Sequence, residues 1–287
     1  MPKQLPVAIV TGASRGAGRG IAVALGSHGC TVYVTGRSET LSDSSVPGTI
    51  HETAAAVTAA GGRGIAVRVD HADNAQVAAL FERVVAENGR IDILVNNACA
   101  IHDQLSAPGN FWEKPLAIGD MIDVGVRSGF VASWHAAPTM VAQGRGLIVF
   151  TSAPGSMHYV FGPAYGAHKA GVDKMAHDMA IDLRLANVAS ISIWMGSLAT
   201  ERLLAMIEAD RAKFGHLSDT LETPEFTGHV VWALYNDDEL IALTGQTVIA
   251  AEMGQRYGIR DRGGRAPASV RDTQGIAPPS FYPNVVR

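Results

Sequence analysis

Short apolar runs rich in Val and Ile alternate along this chain with longer stretches in which apolar residues return every three to four positions. The runs are LPVAIV at 5–10, TVYV at 31–34, GIAVRV at 64–69, IDILV at 91–95, GLIVF at 146–150, ISIW at 191–194 and TVIAA at 247–251. Runs of this length bounded by polar or glycine residues predict strands buried on both faces. The stretches between them predict helices. TIHETAAAVTAA stops at Gly61-Gly62, DNAQVAALFERVVAENG starts with Asp73 as its cap, and TPEFTGHVVWALYN lies just before the last run. Strand and helix in strict alternation predict an α/β fold, a doubly wound parallel sheet with helices on both faces and right-handed crossovers.

Composition narrows the class. At 287 residues, 47% hydrophobic and 17% charged, the chain is expected to form one domain over 1–287 with a large core. A net charge of −4 gives no reason to expect nucleic acid or an anionic membrane, so the expected partner is a small molecule. Two cysteines, Cys30 and Cys99, form no disulfide framework. No apolar run reaches about 18 residues and no signal segment opens the chain, which reads as a soluble, cytoplasmic protein without membrane insertion. The ten histidines show no metal-ligand spacing, and His168 is expected to be exposed.

The first apolar run enters TGASRGAGRG, where Gly12, Gly16 and Gly18, with Ser14 and Arg15, make a tight turn into a helix. Small residues at a helix N-terminus let backbone N–H groups approach a pyrophosphate. The second run ends at Arg37, where an acidic residue would take a ribose 2′-hydroxyl; Arg15 and Arg37 favour a 2′-phosphate, hence NADP(H) over NAD(H), with NAD(H) possible. Asp70 closes the third run within reach of an adenine amino group, and Asn97 follows the fourth. Ser152 ends the fifth and precedes Tyr165 by 13 residues; Ser156 is its rival for polarising a carbonyl. Tyr165 and Lys169 share one face of a long amphipathic helix at 162–184, and a cation beside a phenol is expected to lower a pKa that is ordinarily about 10. The irregular insertion at 99–117, with Phe111 and Trp112, reads as a lid or a wall of a substrate pocket. Residues 197–226, with Leu203, Leu204, Met206 and Ile207, form a substrate lid. The tail at 256–287 reads as wrapped on a neighbour or partly mobile.

TGASRGAG, Asn96-Asn97-Ala98, Ser152 and Tyr165-x-x-x-Lys169, in this order, resemble the short-chain dehydrogenase/reductase family over residues 5–255. The resemblance implies a Rossmann-type sheet of about seven strands and a nicotinamide cofactor along its carboxyl edge. It also implies hydride transfer between that cofactor and a carbonyl or secondary alcohol, and a homodimer or homotetramer. Tyr165 would be the acid/base, Lys169 would bind the nicotinamide ribose and lower the Tyr165 pKa, Ser152 would orient the substrate, and Thr200 would sit near the carboxamide. Two positions depart from the family: Gly125 stands where an asparagine is usual, and Trp194-Met195-Gly196 replaces a Pro-Gly. A subgroup of the family is similar in its glycine, its Phe-Trp-Glu insertion, its Pro-Gly-Ser at 154–156 and its RYGIRD at 256–261, and implies lipophilic carbonyl substrates of steroid or xenobiotic type. A cofactor-binding regulatory protein with little turnover, motivated by Gly125 and Met195, is the alternative. A methyltransferase of similar sheet topology is disfavoured by Arg37 and the Tyr165/Lys169 pair.

Overall fold

The computed structural model describes residues 5–282 and 284–286. In it the apolar runs become β1 (Val7–Val10), β2 (Thr31–Gly36), β3 (Arg63–Arg68), β4 (Ile93–Asn96), β5 (Gly146–Ser152), β6 (Val188–Trp194) and β7 (Thr247–Ile249). Among the described residues these form one sheet of order β3-β2-β1-β4-β5-β6-β7, parallel at every pairing. The order reverses between β1 and β4. There the connections leave toward opposite faces and open a crevice at the carboxyl ends of the strands.

Helices α1 (Gly16–Ser27), α2 (Ile50–Ala59) and α8 (Pro224–Tyr235) cover one face. Their Ile21, Leu25, Val57, Phe226 and Val230 pack on the alternate strand positions that include Ala8 and Val10. Helices α3 (Asn74–Asn88), α4 (Ser128–Gln143) and α5 (Pro163–Leu183) cover the other, packing on Val7 and Ile9 through Leu80, Ala136, Val172 and Ala176. Each fully buried aliphatic or aromatic side chain in these layers contributes roughly 1.5–3 kcal/mol. At the far end of the sheet the buried Asp92 accepts hydrogen bonds from Val7 N (2.8 Å) and the Tyr235 hydroxyl (2.7 Å), tying β1 to α8.

The local signals hold at the predicted ends. Asp73 caps α3 by accepting from Ala75 N and Gln76 N, and α2 ends two residues before Gly61, which adopts φ +110°. The helix leading into α4 is broken at Val124, next to Gly125: residues 122–127 form a wide turn in which Val124 has φ −95° and ψ 23°, and Ser128 N donates back to Asp123 O. Wide turns of this kind leave the regular hydrogen-bond ladder and recur at functional sites.

The segment at 197–226 carries α6 (Glu201–Ala209), breaks at Asp210 and continues as α7 (Arg211–Phe214). A bridge between Leu198 and Glu222 closes its base. After α8 come α9 (Leu240–Leu243), then β7 and α10 (Ala250–Arg256). The tail differs from expectation. It folds back on its own chain: α11 (Val270–Gln274) is tied to α10 through Ser269 and Glu252, Val270 and Ile276 pack on Trp194 and Ile249, and Phe281 lies on the His177 ring at 4.8 Å. Apolar residues in a Pro-rich segment found a groove on α5 and β6, which composition alone does not reveal.

Candidate active site

The glycine turn follows from close approach. Gly12 has φ +63°, and a Cβ there would stand 2.6 Å from Ala98 Cα, so the turn after β1 can touch the end of β4 only with glycine. Asn97 braces it. Its Nδ2 donates to Thr11 O at 2.9 Å and Gly12 O at 3.0 Å, and its backbone N–H donates to the Thr11 hydroxyl.

The crevice holds about 550 Å³. It brings together Gly12, Ser14, Arg15, Gly16, Gly18, Arg37, Asp70, Asn97, Tyr165, Lys169 and Thr200, every cofactor position expected from the sequence. Arg15 spans the loop at 38–48, donating to the hydroxyls of Ser38 and Ser44 at 2.9 Å and to Gly48 O at 2.7 Å. Arg37 is largely exposed and lies 4.0 Å from Asp70. Arg68, a position not picked out in the sequence, joins Arg15, Arg37, Ser38, Ser44, Asp43 and Glu39 around a side recess, where it pairs with Glu39 at 3.4 Å. Its signal was a basic residue on the strand beside β2, readable only once the strand order was known.

A dinucleotide fits this cradle, and one contact within the protein argues for it. Gly16 N, at the start of α1, donates at 2.9 Å to a Glu201 carboxylate oxygen, and the other oxygen lies 3.9 Å from Arg19. Glu201 thus places an anion where a helix N-terminus attracts a pyrophosphate. Glu201 was not foreseen as a site residue, because 185 positions separate it from Gly16.

The reacting end departs from expectation in three ways. Burial, with a smaller effect of Cys99, pushes the Tyr165 phenol up to about 12 instead of down. Lys169 is itself buried and lowered, chiefly by desolvation; its Nζ stands 5.6 Å from the centre of the Tyr165 ring and donates to Thr151 O at 3.2 Å. In the free protein desolvation outweighs the ammonium. Ser152 is fully buried, and its hydroxyl donates to the Lys169 backbone carbonyl at 3.4 Å; Thr151 lines the crevice in its place. Ser156 Oγ is buried without a partner in the protein. Finally, His168 is 3% exposed, packed inward between Cys99 and Gly125.

The insertion contributes Cys99, Ala100, Ile101, His102 and Ala117 to the crevice, whereas Phe111 and Trp112 stay exposed. Arg202 on α6 reaches Asp103 of the insertion at 2.8 Å. Of Leu203, Leu204, Met206 and Ile207, Ile207 is buried and Leu204 half exposed. Among the described residues no cluster of three metal-binding side chains occurs, and no helix is long and apolar enough to cross a membrane.

This geometry has counterparts in known proteins. The sequence is 38% identical over 275 residues to human dehydrogenase/reductase SDR family member 1, covering 92% of this chain and 85% of that protein. It is 30% identical over 255 residues to the 2-dehydro-3-deoxy-D-gluconate 5-dehydrogenase of Escherichia coli, covering 88% and 90%. A solved short chain dehydrogenase from Mycobacterium thermoresistibile superposes with a TM-score of 0.73 at 26% identity, covering 88% of each chain. The short chain dehydrogenase family profile matches residues 6–210, and with the glycine turn and the Tyr165/Lys169 pair opening into one crevice, the chain belongs to that family of oxidoreductases.

Proposed function

We propose that this protein transfers hydride between NADP(H) and a carbonyl or secondary alcohol on a lipophilic small molecule. The observation that carries the reading is a phenol and an ammonium lining the same crevice as the glycine turn. A nicotinamide cofactor, once bound, supplies the hydride. Gly12, Ser14 and Gly16 hold its pyrophosphate, Asp70 its adenine, and Lys169 and Thr200 its nicotinamide half. Tyr165, protonated because its pKa is high, gives its proton to the nascent alkoxide. Ser152 orients the substrate once its hydroxyl leaves the Lys169 carbonyl. Ile101, Met121, Val124, Met195 and Leu198 line the crevice and suit an apolar substrate body. The test is NADPH oxidation with a panel of ketones and quinones; tight NADPH binding without turnover of any of them would favour the regulatory alternative.

Preference for NADP(H) is supported by Arg15 and Arg37 at the side recess, whose wall also carries Asp43 and Arg68, the latter paired with Glu39 at 3.4 Å. Loss of a charge-assisted contact to a phosphate costs about 1.5–3 kcal/mol. Arg37→Asp is therefore expected to weaken NADPH roughly 10- to 100-fold while NADH changes little, measured by fluorescence titration. Equal losses for both cofactors would refute the assignment.

Self-association as a homodimer or homotetramer belongs to the same reading. It is supported by the outward row Phe130, Trp134 and Val141 on α4, each well exposed in the single chain. Trp134→Glu is expected to convert the oligomer to a monomer in a sizing measurement, and an unchanged elution volume would exclude this face. A cytoplasmic setting is supported by two free cysteines, Cys30 and Cys99.

A further inference from the structure

Between Tyr165 and Lys169 stands a histidine whose ring is enclosed on both sides. A Cβ on Gly125 would lie 2.6 Å from His168 Nε2, 2.8 Å from Cδ2 and 3.1 Å from Cε1, so with the ring in place position 125 admits no side chain. The bare residue in the broken helix and the large residue on α5 are two halves of one fit. On the other side, Nδ1 is 3.7 Å from the Cys99 sulfur, and Cys99 shares the crevice wall with Tyr165 and Lys169. One imidazole thus connects the break before α4 to the place of reaction.

Its chemistry is set by its surroundings. Burial, followed by the charge of Lys169, drives the His168 pKa down to about 2, so the ring is neutral, with one nitrogen to accept and one to donate. Burial also raises the Cys99 pKa and keeps the thiol protonated. Nδ1 and the Cys99 sulfur form one weak hydrogen bond whose direction follows the ring tautomer, while Nε2 faces Gly125.

We propose that His168 is a positioning residue for the Tyr165–Lys169 pair, fixing through Cys99 and the Gly125 turn the wall against which phenol and ammonium are held. Its ring takes the volume that a side chain at position 125 would need. The proposal rests on the catalytic reading above. A displacement of about 1 Å at a reacting group costs on the order of 100-fold in rate, so the expected signature is in kcat and not in cofactor binding.

His168→Phe keeps a planar ring, though a larger one, and removes both nitrogens. It is expected to lower kcat roughly 10- to 100-fold with the KM for NADPH essentially unchanged. His168→Gln should recover part of the loss, and Gly125→Asn combined with His168→Ser most of it, whereas Gly125→Asn alone should lower the melting temperature because the ring stands in its way. Nitrogen-15 NMR of the free protein is expected to show His168 as a neutral ring in a single tautomer down to about pH 4, well below the ordinary histidine pKa. Wild-type kcat in His168→Phe, no recovery in His168→Gln or the double variant, an undisturbed Gly125→Asn, or a ring that titrates normally would each overturn the proposal. The NMR measurement needs no substrate, so failure of the contact and failure of the catalytic reading are separable.

Discussion

Tyr165→Phe is expected to lower carbonyl reduction by about three orders of magnitude while NADPH binds as before, since positioned proton transfer typically contributes 10²–10⁴-fold. The substitution is clean because the ring does structural work that phenylalanine retains. Tyr165 packs edge-on against Phe161 with centroids 5.3 Å apart, and Gly155 lies so close that a Cβ there would stand 2.5 Å from Tyr165 Cε1. Only the hydroxyl is lost. Stopped-flow reduction of a ketone beside a fluorescence titration of NADPH separates the two effects. Turnover at the parent rate would remove the phenol from the mechanism, and loss of cofactor binding would make it a binding residue. The raised pKa supplies a second readout. An absorbance titration of the free protein should show a phenol ionising near 12, absent from Tyr165→Phe. At neutral pH the group is then a proton donor, which suits reduction; the reverse reaction requires a deprotonated phenol and should speed up as pH rises.

Gly12→Ala is expected to have the next largest effect, on cofactor affinity and on stability together. The native φ of +63° costs an alanine about 1–2 kcal/mol, and its Cβ would overlap Ala98 Cα at 2.6 Å, where the neighbour is backbone and cannot swing aside. To relieve the overlap the turn must leave β4, which breaks the Asn97 hydrogen bonds to Thr11 O and Gly12 O and misaligns the α1 N–H groups. Loss of about 3 kcal/mol at that site corresponds to more than 100-fold in NADPH affinity. Isothermal titration and a thermal melt measure both. An alanine variant with parent affinity would mean that the turn does not carry the pyrophosphate.

Much of the site was legible in the sequence because its signals are local. Tyr165 and Lys169 lie four residues apart on one helix, and the glycines lie within seven residues on one turn, so short-range geometry alone presents them on one side. Where reasoning failed, solvation or distant packing decided. The direction of the Tyr165 shift followed from burial of both partners, a quantity that spacing does not contain. Ser152 was rightly placed at a strand end, yet its hydroxyl turned to a carbonyl on the helix above it. The 99–117 insertion reaches the crevice through its first residues, whereas its aromatic pair stays exposed.

By itself, then, the sequence determined the alternation of strands and helices, the glycine turn, and the shared face of phenol and ammonium, because the periods and turn preferences behind them act over a few residues. The tertiary structure alone decided that Glu201 faces the start of α1 across 185 positions, that His168 meets Cys99 across 69, and that Gly125 yields its space to that ring. Such contacts depend on how finished elements pack, where excluded volume and loss of water fix which side chain ends beside which.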